Sequence, residues 1–479
     1  MKPKKPSPPR SNIITPIGLI GLFIVPVFWL LLQFSGEQGA LSPRGSAPIQ
    51  VEDVLTKGIL RVATREGPLT YHQDNGGSIS GLEADLAGAF AESLGVKAEF
   101  IVAASIPEVY DLVRQGKAHM AAAGLIVSPE RMEDVRYGPS YMQVRQQLVV
   151  REDLAAPVSI DQIGNAYISV VAGSGHAETL RELSHDNPDI VPQPMDKVTG
   201  TDLIAMLARR ELDYALIDSS MARWARMAFP EVKVAFDVGD PKDYAWAFPA
   251  EDDSLHERAV QFIRDLTASG ELDRIIDRYF DHLDTLDPDG SRQFIRDVRY
   301  QLPAYRPHFI QSAKRHGLDW RLLAAVGYQE SKWDPAVVAP SGTRGMMQFT
   351  GATAAQLGVN PHDPRSSIEG AARYLNILQN QLPKEIAEVE RPWFALAAYN
   401  IGIGTVFDAI RRHHRRHKTP VTWDAFRTAL VEAAQGSGFT RKRRELTLHY
   451  VDSIRTYYDL MVWVTERAPR LSLPPQDKG

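Results

Sequence analysis

A single glutamate lies within an apolar helical pattern in the C-terminal half of the chain. In WRLLAAVGYQESKW, residues 320–333, one helix face is defined by spacings of three and four. The residues on that face are Leu323, Val326, Glu330 and Trp333. Because burial disfavours a charged carboxylate, Glu330 should hold its proton near neutral pH and could donate it to a leaving oxygen. For a helical glutamate taken alone, a surface residue paired with Lys or Arg is the more common interpretation, and a general acid is the alternative.

No second acid accompanies this glutamate in a pattern suited to catalysis. Most glycosidases use two carboxyl groups, an acid and either a nucleophile or a base that activates water. Asp334 follows one helical turn later, but it precedes Pro335, which favours a turn or cap. A single acid is sufficient where the substrate supplies its own nucleophile.

Two later segments suit a sugar groove. In AAYNIGIG, Gly402 and Gly404 let a pyranose ring approach the backbone, while Tyr399 and Asn400 offer stacking and hydrogen bonds. In GTRGMMQFT, at least one of the two methionines is interpreted as core packing, which leaves Gln348 as the expected contact.

The segments ESKWDPAVVAPSGTRGMMQFT, GAARYLNILQ, FALAAYNIGIGTV and YVDSIRTYYD occur in that order. Together they resemble the lytic murein transglycosylase domain related to goose-type lysozyme. The resemblance implies an all-α, lysozyme-like domain over residues 300–470 that needs no cofactor and acts on peptidoglycan glycan strands. The family's glutamate shortly before Tyr450 has Glu445 as its counterpart, one residue out of step.

The resemblance also implies a mechanism. Glu330 protonates the glycosidic oxygen of the β-1,4 bond between N-acetylmuramic acid and N-acetylglucosamine, and then takes the proton from the muramoyl C6 hydroxyl, which closes a 1,6-anhydro ring. Alternatives are a lysozyme-type hydrolase of the same bond and a non-catalytic scaffold that binds murein or a solute. The residues assigned to substrate binding are Ser331, Gln348, Tyr399, Asn400, Gly402 and Tyr450.

Residues 51–283 alternate short β-type runs with amphipathic helical runs, which predicts an α/β domain. GILRVATREGPLTYHQDNGGSISGLEADLAGAFAESLGV and the stretches that follow resemble bacterial family 3 extracellular solute-binding domains. The resemblance implies a two-lobed, periplasmic-binding-protein-like clamp for a small amino-acid or muropeptide-like ligand. The order of the two domains in the chain indicates a non-catalytic, regulatory role for it. Arg131 would bind a carboxylate, Asp218 an ammonium group, and Ser174 would donate hydrogen bonds. From the residues alone, Arg131 is more often a surface residue or ion-pair partner than a ligand contact, and a helix cap is an equal alternative for Asp218.

The N-terminus carries Lys2, Lys4, Lys5 and Arg10 ahead of an uncharged apolar run over 13–34. Residues 1–35 are therefore predicted to be a signal or membrane anchor, with a linker over 36–50 and a connector over 284–299. The positive-inside bias places the rest of the chain on the periplasmic face, anchored in the inner membrane if the segment is retained. The family resemblance instead implies peripheral outer-membrane association.

Composition excludes several classes of protein. The net charge of −5 argues against a nucleic-acid partner, and the absence of cysteine excludes disulfides and thiol chemistry. The basic run RRHHRRHK, residues 411–418, has no clear metal spacing, and no metal site is expected.

Overall fold

A computed structural model describes residues 51–73, 77, 79–251, 253–283, 285–417, 421–433 and 438–466. The predicted anchor, 1–35, and linker, 36–50, lie outside the described residues. Among the helices that are described, none combines the length and the apolar character needed to cross a bilayer.

The first lobe of the α/β domain is built on a five-stranded sheet in the order β4-β1-β5-β12-β6. Strand β1 pairs in parallel with β4 and β5, and β12 runs antiparallel to β5 and β6. The strands, with the small hairpin β2-β3, are β1 Ile59–Thr64, β2 His72–Gln73, β3 Ile79–Ser80, β4 Lys97–Val102, β5 Met120–Ala121, β6 Val135–Tyr137 and β12 Ala247–Pro249. The helices are α1 Val51–Lys57, α2 Leu82–Ser93, α3 Ile106–Arg114, α7 Ser254–Ser269 and α8 Glu271–Phe280.

The second lobe is inserted between β6 and β12 and has its own five-stranded sheet, in the order β11-β7-β10-β8-β9. Its strands β8 and β9 are parallel, and β7 is antiparallel to both β10 and β11. The strands are β7 Met142–Arg151, β8 Ala166–Val171, β9 Ile190–Met195, β10 Tyr214–Asp218 and β11 Val232–Tyr244. The helices are α4 Gly175–Asp186, α5 Gly200–Ala208 and α6 Ser219–Ala228.

The remainder of the described chain is helical. Its elements are α9 Pro288–Tyr300, α10 Leu302–His316, α11 Trp320–Ser331, α12 Gly351–Leu357, α13 Pro364–Gln381, α14 Arg391–Ile401, α15 Ile403–His417, α16 Trp423–Glu432 and α17 Gly438–Glu466. The predicted fold class, a two-lobed α/β domain followed by an all-α domain, is confirmed.

Helix α9 occupies most of the segment that was predicted to be a connector, 284–299. Its Phe294 is fully buried and packs against Tyr328 and Tyr457, with ring centroids 4.7 Å away in both pairs. Asp297 on the same helix accepts a hydrogen bond of 2.7 Å from the Tyr328 hydroxyl. Since these partners lie on α11 and α17, α9 belongs to the core of the helical domain.

Candidate active site

Glu330 lies in the last turn of α11, and an unusual turn follows it. Lys332 and Trp333 both have positive φ, 54° and 62°, in the left-handed region that residues other than glycine seldom adopt. The turn sends the Trp333 indole back along α11, where its Nε1 donates a hydrogen bond of 2.8 Å to the carbonyl of Ala324. Leu323, Val326 and Trp333 are buried, so Glu330 ends a buried apolar face as predicted.

The carboxyl group of Glu330 is half-buried and has one hydrogen-bond partner among the described residues. The Tyr450 hydroxyl, on α17, donates to Glu330 Oε1 at 2.6 Å. Burial raises the pKa of Glu330 to about 7, against the lowering effect of the Tyr450 hydrogen bond. Burial also raises the pKa of Tyr450 well above its usual value, so the phenol stays protonated and remains the donor. A carboxyl group with this pKa can give up a proton and take one back at neutral pH.

Two side chains that were predicted to bind substrate, Ser331 and Gln348, stabilise the loop after Glu330. The Gln348 amide accepts from Thr343 Oγ1 at 2.7 Å and donates to the carbonyls of Gly345 and Val337 at 2.7 and 3.2 Å. Ser331 Oγ donates to the carbonyl of Met346 at 2.8 Å. These bonds give Ser331 and Gln348 a positioning task within the loop.

The next predicted contact, Tyr399, also supports this loop. Its hydroxyl donates to the carbonyl of Met347 at 2.9 Å, and its ring packs near Tyr374. Met346 and Met347 are both fully buried, so both serve the core.

Gly345 fixes the path of the loop. Its φ is +77°, and a Cβ at this position would collide with the carbonyl oxygen of Pro361. Only glycine fits here, for backbone conformation and for space.

Asn400 and Gly402 lie at the end of α14 and leave open space. Asn400 is exposed, and its Oδ1 accepts a hydrogen bond of 2.8 Å from Thr447 on α17. Gly402 has φ +96°, and a Cβ there would meet no atom within 4 Å. The backbone at Gly402 is therefore open to an approaching group.

Thr447 was missed by the sequence reasoning. It is fully buried and joins α17 to Asn400 one turn before Tyr450. The signal was present, since Thr447 and Tyr450 are three residues apart and share a helix face.

Two other acids of the helical domain, Asp334 and Glu445, make contacts that stabilise local structure. Asp334 Oδ1 accepts from the backbone N–H of Ala336 at 2.8 Å, so the predicted turn-capping role is confirmed. Glu445 is exposed and pairs with Arg441 at 3.1 Å. It lies five residues before Tyr450, about 140° around the helix from it.

The clamp cleft between the two lobes contains two of the three predicted ligand contacts. Asp218 and Ser174 both line a cavity of about 110 Å³. Each also caps a helix: Asp218 accepts from the N–H of Met221 at 2.8 Å, and Ser174 accepts from the N–H of Ala177 at 3.3 Å.

The third predicted ligand contact, Arg131, does not line this cavity. Its guanidinium lies over the Tyr110 ring, 5.0 Å from the centroid, and Nε is 3.8 Å from Glu178 Oε1. The guanidinium that does line the cavity is Arg65, which is 7% exposed and donates to the carbonyl of Val198 at 2.9 Å. Sequence reasoning missed Arg65, although it directly follows β1, at the carboxyl edge of a parallel strand where ligand-binding residues gather.

Each of the two domains matches a known protein family. Residues 60–282 match the model for bacterial extracellular solute-binding proteins, family 3, and residues 307–421 match the transglycosylase SLT domain. A membrane-bound lytic murein transglycosylase F from Pseudomonas fluorescens is 38% identical over 427 residues, 88% of each chain. A membrane-bound lytic murein transglycosylase F 1 from Alkalilimnicola ehrlichii is 38% identical over 462 residues, 95% of this chain and 92% of the relative.

The chain belongs to the membrane-bound lytic murein transglycosylase F family.

Among solved structures, a P235GK mutant of ArgBP from T. maritima is 24% identical and has a TM-score of 0.44, covering 49% of this chain and 100% of its own.

Membership in the transglycosylase F family makes this chain an enzyme that acts on peptidoglycan, with its SLT domain in the helical part that contains Glu330. The predicted lytic transglycosylase is confirmed at that level, and the scaffold alternative is not favoured.

Proposed function

We propose that this transglycosylase cleaves the bond between N-acetylmuramic acid and N-acetylglucosamine by intramolecular ring closure, with Glu330 as acid and then as base. The observation that carries the proposal is the pairing of Glu330 with Tyr450, in which burial brings the pKa of the carboxyl group to about 7.

The proton transfers need no second catalytic group. In the first step the bond between muramoyl C1 and the glycosidic oxygen breaks, and the proton of Glu330 passes to that oxygen. The Tyr450 hydroxyl then donates to the newly formed carboxylate, which stabilises it. In the second step Glu330 takes the proton of the C6 hydroxyl while that oxygen bonds to C1. Glu330 ends protonated, and no water is consumed.

Electrostatics favour ring closure over hydrolysis. A water-activating carboxylate close to Glu330 would raise its pKa further through like-charge repulsion. Burial and Tyr450 account for the shift in the pKa of Glu330, and no other described carboxylate contributes to it. This supports the anhydro product.

The test is digestion of purified peptidoglycan by the wild type and by Glu330→Gln, with mass spectrometry of the released fragments. We expect muramoyl ends one water lighter than hydrolysis products, and no release above background from Glu330→Gln. Products with intact reducing ends would establish the hydrolase, and undiminished digestion by Glu330→Gln would remove Glu330 from the reaction.

We also propose that the clamp domain binds a small amino-acid or muropeptide-like ligand between its lobes and regulates the helical domain. The match to solute-binding proteins supports a ligand, and Asp218, Ser174 and Arg65 supply charged and polar groups in the cleft. Arg131 could take part once it leaves Glu178. Asparagine is as good a helix cap as aspartate, so Asp218→Asn tests the ligand contact with the cap kept. A ligand that raises the melting temperature of the wild type should fail to do so in Asp218→Asn, and equal shifts would contradict the assignment.

Membrane association on the periplasmic face is proposed from the basic and apolar N-terminal segment and from the names of the relatives. Fractionation of cells that produce the full chain, before and after a carbonate wash, distinguishes an anchored from a peripheral protein.

A further inference from the structure

A second cavity, of about 220 Å³, lies between the clamp domain and the helical domain. Arg278 and His282 line it from the clamp side, and Trp393, Arg455, Asp459 and Trp463 line it from the helical side. The binding cleft between the lobes is a different space, since neither Asp218 nor Ser174 lines this cavity.

The cavity is also remote from the catalytic glutamate. It reaches Arg321 in the first turn of α11, whereas Glu330 lies in the last turn of that helix. Nine residues of α-helix correspond to about 14 Å. An occupant of the cavity would therefore not be the sugar that reacts at Glu330.

Three buried polar atoms on its lining residues have no hydrogen-bond partner among the described residues. They are Nε1 of Trp393, Nε1 of Trp463 and Nδ1 of His282. The Nε2 of His282 lies 2.6 Å from Asp459 Oδ2, and because a carboxylate only accepts, Nε2 must carry the hydrogen. In the neutral ring, Nδ1 is then an acceptor. The lining thus offers two donors and one acceptor that burial leaves unsatisfied, which native proteins seldom tolerate without a ligand or water.

The buried charge of Arg455 is offset in part by three acids, Asp452, Asp459 and Asp281. Its side chain is 4% exposed, and its carboxylate neighbour Asp452, 3.7 Å away, lies closer to Arg427, at 3.2 Å. Burial lowers the pKa of Arg455. One of its five N–H groups donates to the carbonyl of Arg278 at 2.7 Å, so others remain for an anion. A carboxylate bound here would offset the cost of burying the guanidinium.

The aromatic side chains that line the cavity indicate which kind of ligand it could bind. The Arg455 guanidinium lies 5.2 Å from the centre of the Trp393 ring, so a carboxylate bound to Arg455 brings its carrier against this indole. Indole rings offer an apolar surface that suits the C–H face of a pyranose. Asp459, whose side chain is 37% exposed, can accept from a sugar hydroxyl.

We propose that this cavity binds an acidic sugar, a pyranose that carries a carboxylate and an N-acyl group. The carboxylate binds Arg455 and Arg278, the acyl oxygen accepts from an indole N–H, and ring hydroxyls donate to Asp459 and His282. N-acetylmuramic acid has each of these groups. The site is separate from the catalytic step, and its occupant would bridge both domains of the enzyme.

The test is isothermal titration of the purified full-length protein with N-acetylmuramic acid, which contains no glycosidic bond and is not cleaved. N-acetylglucosamine, which lacks the lactyl carboxylate, is the control ligand. Trp393→Phe keeps a ring and removes one N–H donor. Trp423→Phe is the matched control variant, because its Nε1 is also buried without a partner but Trp423 does not line this cavity.

We expect saturable binding of N-acetylmuramic acid and binding of N-acetylglucosamine at least about tenfold weaker, since a charge-assisted contact is lost. Trp393→Phe should weaken binding by about threefold to tenfold, and Trp423→Phe should leave it unchanged. Glu330→Gln should abolish digestion and keep full binding, which separates this site from the catalytic groove. Equal binding of both sugars, no binding, or equal loss in the two tryptophan variants would overturn the proposal.

Trp463 provides a second variant, but it packs edge-on against Trp224 and Phe229 across the domain boundary. The affinity of Trp463→Phe for N-acetylmuramic acid is therefore interpreted together with the melting temperature of this variant. Weakened binding at an unchanged melting temperature supports the site, and unchanged binding in both Trp393→Phe and Trp463→Phe overturns it.

Discussion

The half-buried carboxyl group of Glu330 should make the free energy of unfolding of the enzyme depend on pH. The pKa of Glu330 is raised from 4.5 to about 7 in the folded protein. The folded state then holds a proton that the unfolded state has lost between these two values, so stability falls as pH rises through this window. A shift of about 2.5 units corresponds to about 3 kcal/mol at most, because each unit is worth about 1.4 kcal/mol.

The substitution Glu330→Gln removes this titration and keeps the size of the side chain. We expect the free energy of unfolding of the variant, relative to the wild type, to rise by up to about 3 kcal/mol between pH 4 and pH 8. The measurement is urea denaturation of both proteins across that range, followed by a probe in the helical domain. Glu445→Gln, at an exposed position on α17, is the control for loss of one carboxylate. Parallel pH profiles for the wild type and Glu330→Gln would refute the argument that burial holds a proton on this group.

Three further predictions follow from single contacts. Tyr450→Phe removes the hydrogen bond that lowers the pKa of Glu330, so the alkaline limb of the pH profile of kcat, where Glu330 loses the proton that it must donate, should move up by about one unit or more. An unmoved limb would contradict the pairing. Gly345→Ala forces a Cβ into the carbonyl of Pro361, so activity and melting temperature should both fall, while Gly342→Ala, with no atom within 4 Å of its Cβ, should cost less. Glu178→Gln removes the carboxylate that contacts Arg131 and Ser128 from the other lobe, so amide hydrogen exchange should become faster over residues 126–131. Asp153→Asn, at an exposed position, is the control, and equal exchange in the two variants would show that these contacts do not hold the lobes together.

The position of Glu330 on a buried helix face and the two domain types could be predicted because their signals are local. Glu330 follows an apolar helical repeat, and the alternation of β-type and helical runs stops near residue 300. The turn through Lys332 and Trp333 could not be predicted, because neither residue type favours positive φ and the conformation is held by tertiary contacts of the Trp333 indole.

Contacts across long separations were harder still. Arg131 was expected to bind a ligand, yet it pairs with Glu178, 47 residues further on and in the other lobe. Its pairing depends on how closely the lobes approach, which composition and periodicity do not encode. Ser331, Gln348 and Tyr399 were predicted to bind substrate, and this stays a prediction. Their hydrogen bonds to the loop show that they also shape the surroundings of Glu330, a task that the motif alone does not reveal.

Helix α17 gives the proposed regulation a physical route. It carries Tyr450, which donates to Glu330, and two turns later Asp459 pairs with His282 of the clamp domain. Between them, Thr456 Oγ1 donates to the carbonyl of His282 at 2.7 Å. Because residues on one helix move together, a shift of the clamp against α17 would change the position of Tyr450 relative to the catalytic carboxyl group. Without that hydrogen bond, Glu330 would lose the partner that stabilises its ionised form, its pKa would rise, and the acid step would slow. An occupant of the cavity beside His282 and Asp459 would therefore act on catalysis through the same helix.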